Sequence, residues 1–139
     1  SVFSVGTHTT TNGSSDTFIA YCFAEIEGYS KFGKFTGNGD ADGPFVYTGF
    51  RPAWLMWKRT NSTNQWVMND ATRNPFNQTD QVLYANLNDA DSTGEGIVTD
   101  LVSNGFKLLS STAGNANTNN STYIYMAFAE MPFKYANAR

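Results

Sequence analysis

Residues 120–130, Asn-Ser-Thr-Tyr-Ile-Tyr-Met-Ala-Phe-Ala-Glu, restate residues 15–25, Ser-Asp-Thr-Phe-Ile-Ala-Tyr-Cys-Phe-Ala-Glu. In one gap-free register Thr17, Ile19, Phe23, Ala24 and Glu25 meet Thr122, Ile124, Phe128, Ala129 and Glu130. The same register pairs Thr7 with Thr112 and Asn12 with Asn117 in two polar connecting loops. Self-similarity at a fixed period marks a repeat architecture. Here the period is the size of a small domain, far longer than a solenoid unit. Residues 1–27 therefore read as the closing hairpin of a preceding repeat, or as N-terminal strands of the same sandwich. Residues 28–139 read as one β-sandwich repeat module, and the chain looks cut from a tandem array. The expectation is that 1–27 and 106–131 form equivalent hairpins, each with a long polar loop and an apolar return strand.

The faces of these two segments are decided by alternation. Tyr123, Tyr125, Ala127 and Ala129 point one way in a strand, and Ile124, Met126, Phe128 and Glu130 the other. Phe18, Ala20, Cys22 and Ala24 likewise oppose Ile19, Tyr21, Phe23 and Glu25. Both faces are largely apolar, so neither segment is an ordinary half-solvated strand. Trp54-Leu55-Met56-Trp57 has the same property, with its two indoles on opposite faces. Loops or another subunit must cover the second face, and Trp and Tyr are favoured at such interfaces.

Working outward, alternation dominates the chain and helical periodicity is scarce. The predicted strands are 2–6, 17–26, 29–36, 44–50, 53–60, 65–70, 81–85, 96–101, 105–110 and 121–130, with one helical turn within 86–92. They are short and bounded by Gly/Asn/Ser/Asp clusters, which is the pattern of an all-β, antiparallel β-sandwich or jelly roll. Eleven Phe, seven Tyr and three Trp in 139 residues, with 15% charged residues, fit pleated sheets with uncharged polar surfaces. A net charge of −3 with scattered Lys and Arg supplies no basic stripe for nucleic acid. No stretch approaches the roughly 18 apolar residues of a membrane span. The single Cys22 excludes an internal disulfide and reads as a small buried hydrophobe in an apolar run.

Few residue patterns carry chemistry. Asn38, Asp40 and Asp42, with Gly43 sixth, resemble the first half of a calcium loop, but the twelfth position holds Gly49 in place of a bidentate Glu. A polar hairpin turn is the better account. Asp89, Asp91 and Glu95 form a looser acidic cluster. Glu25 and Glu27 share one strand face about 7 Å apart, within the range glycosidases use, but Pro132 replaces Glu27 in the repeated copy. His8, the one histidine, lies in a Thr-rich loop without a nucleophile motif, so neither a triad nor a His-based zinc site is expected. Asn-x-Ser/Thr triplets at Asn12, Asn61, Asn77, Asn119 and Asn120 are glycan acceptors only in a eukaryotic secretory setting. No cofactor is called for.

Several segments together resemble a known family. They are Gly28-Tyr29-Ser30-Lys31-Phe32-Gly33, Phe35 to Gly39, Asp42 through Trp54, Lys58-Arg59-Thr60, Trp66 with Asp70 and Arg73, Leu83-Tyr84-Ala85-Asn86, Ser103-Asn104-Gly105-Phe106, and Tyr123 to Glu130. These are similar to an uncharacterised β-rich repeat module of tailed-bacteriophage virion proteins, tail-fibre-like and lectin-like jelly rolls. The resemblance covers nearly the whole chain and brings no catalytic or ligand residues with it. It implies exposure on the virion, a symmetric homo-oligomer with a trimer favoured, contact with other virion proteins, and no eukaryotic glycosylation.

The function expected is a non-catalytic structural or adhesion module of a tail fibre or other host-facing appendage, binding cell-surface glycan. A capsid decoration protein is the alternative, and a polysaccharide-degrading enzyme the third reading. Recognition is placed on loops 7–16, 37–43, 61–64 and 112–120, because loops on a rigid sandwich carry it most often. The candidate ligand residues are Asn38, Asp40, Asp42, Asn61, Asn64 and Asn117. Trp54, Trp57, Trp66, Tyr123 and Tyr125 are assigned to core or interface.

Overall fold

A computed structural model describes residues 2–93, 95–111 and 114–131. The elements among the described residues are one short helix, α1 (Thr9–Asn12), and eight strands: β1 (Ser30–Thr36), β2 (Phe45–Tyr47), β3 (Pro52–Arg59), β4 (Val67–Asp70), β5 (Leu83–Tyr84), β6 (Thr99–Val102), β7 (Gly105–Leu108) and β8 (Thr122–Ala129). They form two antiparallel sheets, β1-β8-β3-β4-β5 and β2-β7-β6, consistent with a β-sandwich.

The repeated sequence at 122–129 takes an interior position in the larger sheet. β8 lies between β1, from Ser30↔Phe128 to Thr36↔Thr122, and β3, from Pro52↔Ala129 to Arg59↔Tyr123. A central strand with both faces covered has to be apolar on both, which is what its composition dictates. On the inner face Tyr123, Ala127, Leu55, Trp57 and Val67 meet Leu101, Phe106 and Leu108 of the smaller sheet, all essentially inaccessible to solvent. Phe35 stacks on Tyr123 with ring centroids 4.9 Å apart and meets Phe106 edge-on at 5.9 Å. Removing an aliphatic or aromatic side chain of this kind from water contributes about 1.5–3 kcal/mol.

The second apolar face is covered in part by the chain itself. Phe32, Trp54 and Phe128 form an aromatic cluster, and Phe23 and Tyr29 pack against it at centroid distances of 5.9–6.0 Å. Residues 24–30 are pinned there by Ser30 Oγ donating to the Ala24 carbonyl (2.9 Å) and by paired bonds between Ile26 and Ser30. Trp57 is thus a core residue and Trp54 a half-buried one on the opposite face. Tyr123 and Tyr125 are buried, and Trp66 is partly buried just before β4.

Eight of the ten predicted strands have a counterpart, though β2 and β5 are shorter than expected. Residues 2–6 and 17–26 are the exceptions: they join neither sheet, and only Ile26 makes a bridge, to Ser30. The hairpin equivalence therefore holds in sequence and not in geometry, because 17–25 has no neighbouring strands here and 122–130 has two. Cys22, expected buried, is exposed for the same reason. Residues 86–92 form no helix; the only helical turn among the described residues is α1, where the imidazole of His8 accepts a hydrogen bond from Thr10 N. Residues 132–139, at the end of the assigned 28–139 module, lie outside the described residues, as do Thr112 and residue 113 of the 112–120 loop.

Candidate functional site

Strand polarity gathers three of the predicted loops. β1 and β3 both run antiparallel to β8, so the ends of β1 and β3 and the start of β8 lie at one end of the sandwich. Loops 37–43, 60–66 and 114–121 emerge there. Gly37 N donates to Ser121 O (2.9 Å), Asn120 N to Gly37 O (2.9 Å) and Thr60 N to Thr122 O (2.9 Å), lacing the loops to the strand ends.

At the centre is Asn117, completely buried. Its Nδ2 donates to Asn38 Oδ1 (2.8 Å), Asp40 O (2.9 Å) and Ser110 O (2.8 Å), and its Oδ1 accepts from Asn38 N (2.9 Å). The first loop then folds on itself by Asx turns: Asp40 N donates to Asn38 Oδ1, and Asp42 N to Asp40 Oδ1. Gly37 and Gly43 are required at the crossings, since a Cβ on either would lie 2.4 Å from a backbone carbonyl, of Thr118 and Leu108 respectively. Asp42 ion-pairs with Lys107, whose ammonium holds the carboxyl below the usual Asp range.

The neighbouring loop is fastened to the same frame. Arg59 Nε donates to Asn61 Oδ1 (2.7 Å) and Arg59 Nη1 to Thr118 Oγ1 (3.4 Å). Lys58 Nζ donates to the Asn64 carbonyl (2.6 Å), and Gln65 N to Asn115 Oδ1 (3.0 Å). The buried Trp57 indole donates to Asn115 O (2.9 Å), so the core itself holds the third loop. Tyr123 adds to this: its hydroxyl accepts from Thr118 N and donates to Gly114 O.

The six candidate ligand residues thus fall at one end, but in different roles. Asn38, Asp40, Asp42 and Asn61 are exposed; Asn117 is a buried fastener and Asn64 is partly buried. Loop 7–16 does not join them. Its amide bonds stay local, with Thr11 N and Asn12 N donating to His8 O and Asn12 Nδ2 to Gly6 O. Asn38 Oδ1, Asp40 Oδ1 and Asp42 Oδ1, the oxygens of the calcium-like pattern, accept hydrogen bonds from protein donors. Among the described residues no group of three or more His, Cys, Asp or Glu is placed to hold a metal ion. Asn115 and Lys107 belong to the site and were not picked out from sequence. Neither stands in a motif, and both act through contacts distant in the chain.

At the opposite end Glu25, Glu27, Lys31, Tyr47 and Gly49 line a cavity of about 460 Å³. Both carboxylates of the sequence pair are therefore present there. Glu25 is engaged by Lys31, and this hydrogen bond raises the pKa of the ammonium.

A family model described as a domain of unknown function (DUF7483) matches residues 1–132. No curated protein and no solved structure matches the chain.

Proposed function

The chain belongs to the DUF7483 family, and from that premise we propose that it is a non-catalytic structural and adhesion module of a bacteriophage virion protein, carried on a tail fibre or similar host-facing appendage. One observation supports this above the others: three loops are locked around the buried Asn117 and hold Asn38, Asp40, Asp42 and Asn61 outward on a rigid end of the sandwich. Amide and carboxylate groups fixed in this way suit hydroxyl-rich glycan, because the ordering entropy is already spent before binding. Weak single contacts are then raised by linked copies in a symmetric oligomer, a trimer in this reading. The module acts outside the cell, on the virion, with no cofactor and no nucleic acid.

A second reading, capsid decoration, draws on the half-buried aromatic face of Phe32, Trp54 and Phe128, which suits clamping on a shell. A third, polysaccharide cleavage, draws on Glu25 and Glu27 at the cavity. Locating the chain on intact particles with an antibody-gold label separates the first two. Label at the appendage tips is the expected result; label spread over the capsid favours decoration, and particles without label contradict both.

A further inference from the structure

Residues 17–25 carry the side chains of a central strand and lack its sheet. Ile19 is 80% exposed, Tyr21 82% and Phe23 58%. Phe18, 46% exposed, and the exposed Cys22 stand in the places of Tyr123 and Ala127, which lie between two strands in β8 and are inaccessible to solvent. Of the segment's backbone groups only the Ala24 carbonyl is engaged among the described residues, by Ser30 Oγ, and an apolar segment with free backbone groups is a template for pairing with another sheet.

The two segments agree where the β8 slot is demanding. Ala127 is small because it faces Leu55 across the pair with β3, and Cys22 is the small residue in its place. Phe128 fills the outer aromatic cluster with Phe32 and Trp54, and Phe23 repeats it. Glu130 follows the strand with an ion pair to Arg51 at 2.8 Å, and Glu25, paired with Lys31 in this chain, is the carboxylate in its place. The informative departure is Ala20 in the place of Tyr125. The Tyr125 ring lies over Gly33 of β1, so close that a Cβ at Gly33 would be 2.9 Å from it. A strand with Ala at this position suits a β1 that carries a side chain where this one has Gly33.

We propose that residues 17–25 are the closing strand of a second unit of the same architecture, seated between its β1-like and β3-like strands as β8 is seated here. The partner is a module of the same architecture that precedes β1 in a tandem array, and Gly28 (φ +73°) lies in the turn from one unit's last strand to the next unit's first. Backbone pairing on both edges supplies the affinity, and the alternating pockets of the slot supply specificity. Phe23 leaves the outer face of this unit's sheet on docking, and the adjoining turn, closed by the bridge between Ile26 and Ser30, joins two sandwiches through one continuous chain.

Cys22 reports the docking, because it is exposed in this chain and takes the buried Ala127 position when docked. Residues 28–105 are placed directly ahead of Ser1 of the full chain, so that residues 1–27 follow them as residues 106–132 do in the intact module. Alkylation of Cys22 is timed in the full chain, in this spliced chain, and in a spliced chain with Ala20→Tyr, which restores the ring over Gly33. The expected result is free reaction in the full chain and slowing by about tenfold or more in both spliced chains, with the Ala20→Tyr form slower. Amides 17–25 gain exchange protection alongside. Cys22 reacting in both spliced chains as it does in the full chain overturns the proposal. So does protection in the full chain alone, since the strand then needs no added unit.

Discussion

Asn117 and Asn38, 79 positions apart, bond each other twice: Asn117 Nδ2 donates to Asn38 Oδ1 at 2.8 Å, and Asn38 N donates to Asn117 Oδ1 at 2.9 Å. The pair joins the loop leaving β1 to the loop entering β8. Replacing Asn117 by Ala strands Asn38 N, Ser110 O and Asp40 O in or near the protein interior. Leaving such groups unpaired costs about 1–3 kcal/mol each, so Asn117→Ala is expected to lose about 3 kcal/mol or more. Asn117→Asp, with the same shape and no donor, fails similarly. Urea midpoints at unchanged m-value measure both.

The two indoles separate core from cover. Trp57 is fully buried and hydrogen-bonded to Asn115 O, while Trp54 is half-buried on the outer face. Trp57→Ala should cost about 3–5 kcal/mol through lost contacts and the cavity left behind. Trp54→Ala should cost about 1–2 kcal/mol, in proportion to the smaller area covered. Equal losses in thermal or urea unfolding contradict this assignment of faces.

At Gly105 the obstacle to a side chain is backbone. A Cβ there would lie 2.2 Å from the Val46 carbonyl, across the β2–β7 pair. Gly105→Ala must push the strands apart, at about 1–3 kcal/mol. Amide exchange should rise at Phe45–Tyr47 and stay unchanged in β3 and β8.

Asp70 is expected to contribute to the loss of stability in acid. Burial raises its pKa, but hydrogen bonds from the Arg73 amide and guanidinium and from Thr72 N outweigh this and hold the carboxyl below its ordinary 3.8. A depressed folded-state pKa means stability present above the unfolded value and lost as pH falls through the folded one. Asp70→Asn should therefore be about 1 kcal/mol less stable than the parent near neutral pH. The gap should close below pH 3.8. A constant gap across that range contradicts the role given to Asp70.

What was legible in the sequence is the part set by alternation and turn residues. β1, β3 and β8 were found because their apolar pattern extends over seven or eight residues. Residues 17–26 read equally well as a strand, but a strand is a property of its neighbours as much as of its own residues. Phe18 to Glu25 have none in the sheets described. The turn at Thr9–Asn12 was missed because Thr and Asn are poor helix formers; the His8 cap and local bonds stabilise it. The loop residues at one end were picked by composition, and their common location follows from strand polarity. Their division into exposed groups and the buried Asn117 depends on contacts between distant loops, for which spacing carries no trace.

The adhesion claim is tested most directly by one capture assay. The chain, displayed in multiple copies on beads, is incubated with host-envelope polysaccharide, and captured and released sugar are both measured. The account predicts capture without new reducing ends, loss of capture in Asp40→Ala/Asn61→Ala, and unchanged capture in Glu25→Gln. New reducing ends that disappear in Glu25→Gln would contradict it and make the chain an enzyme.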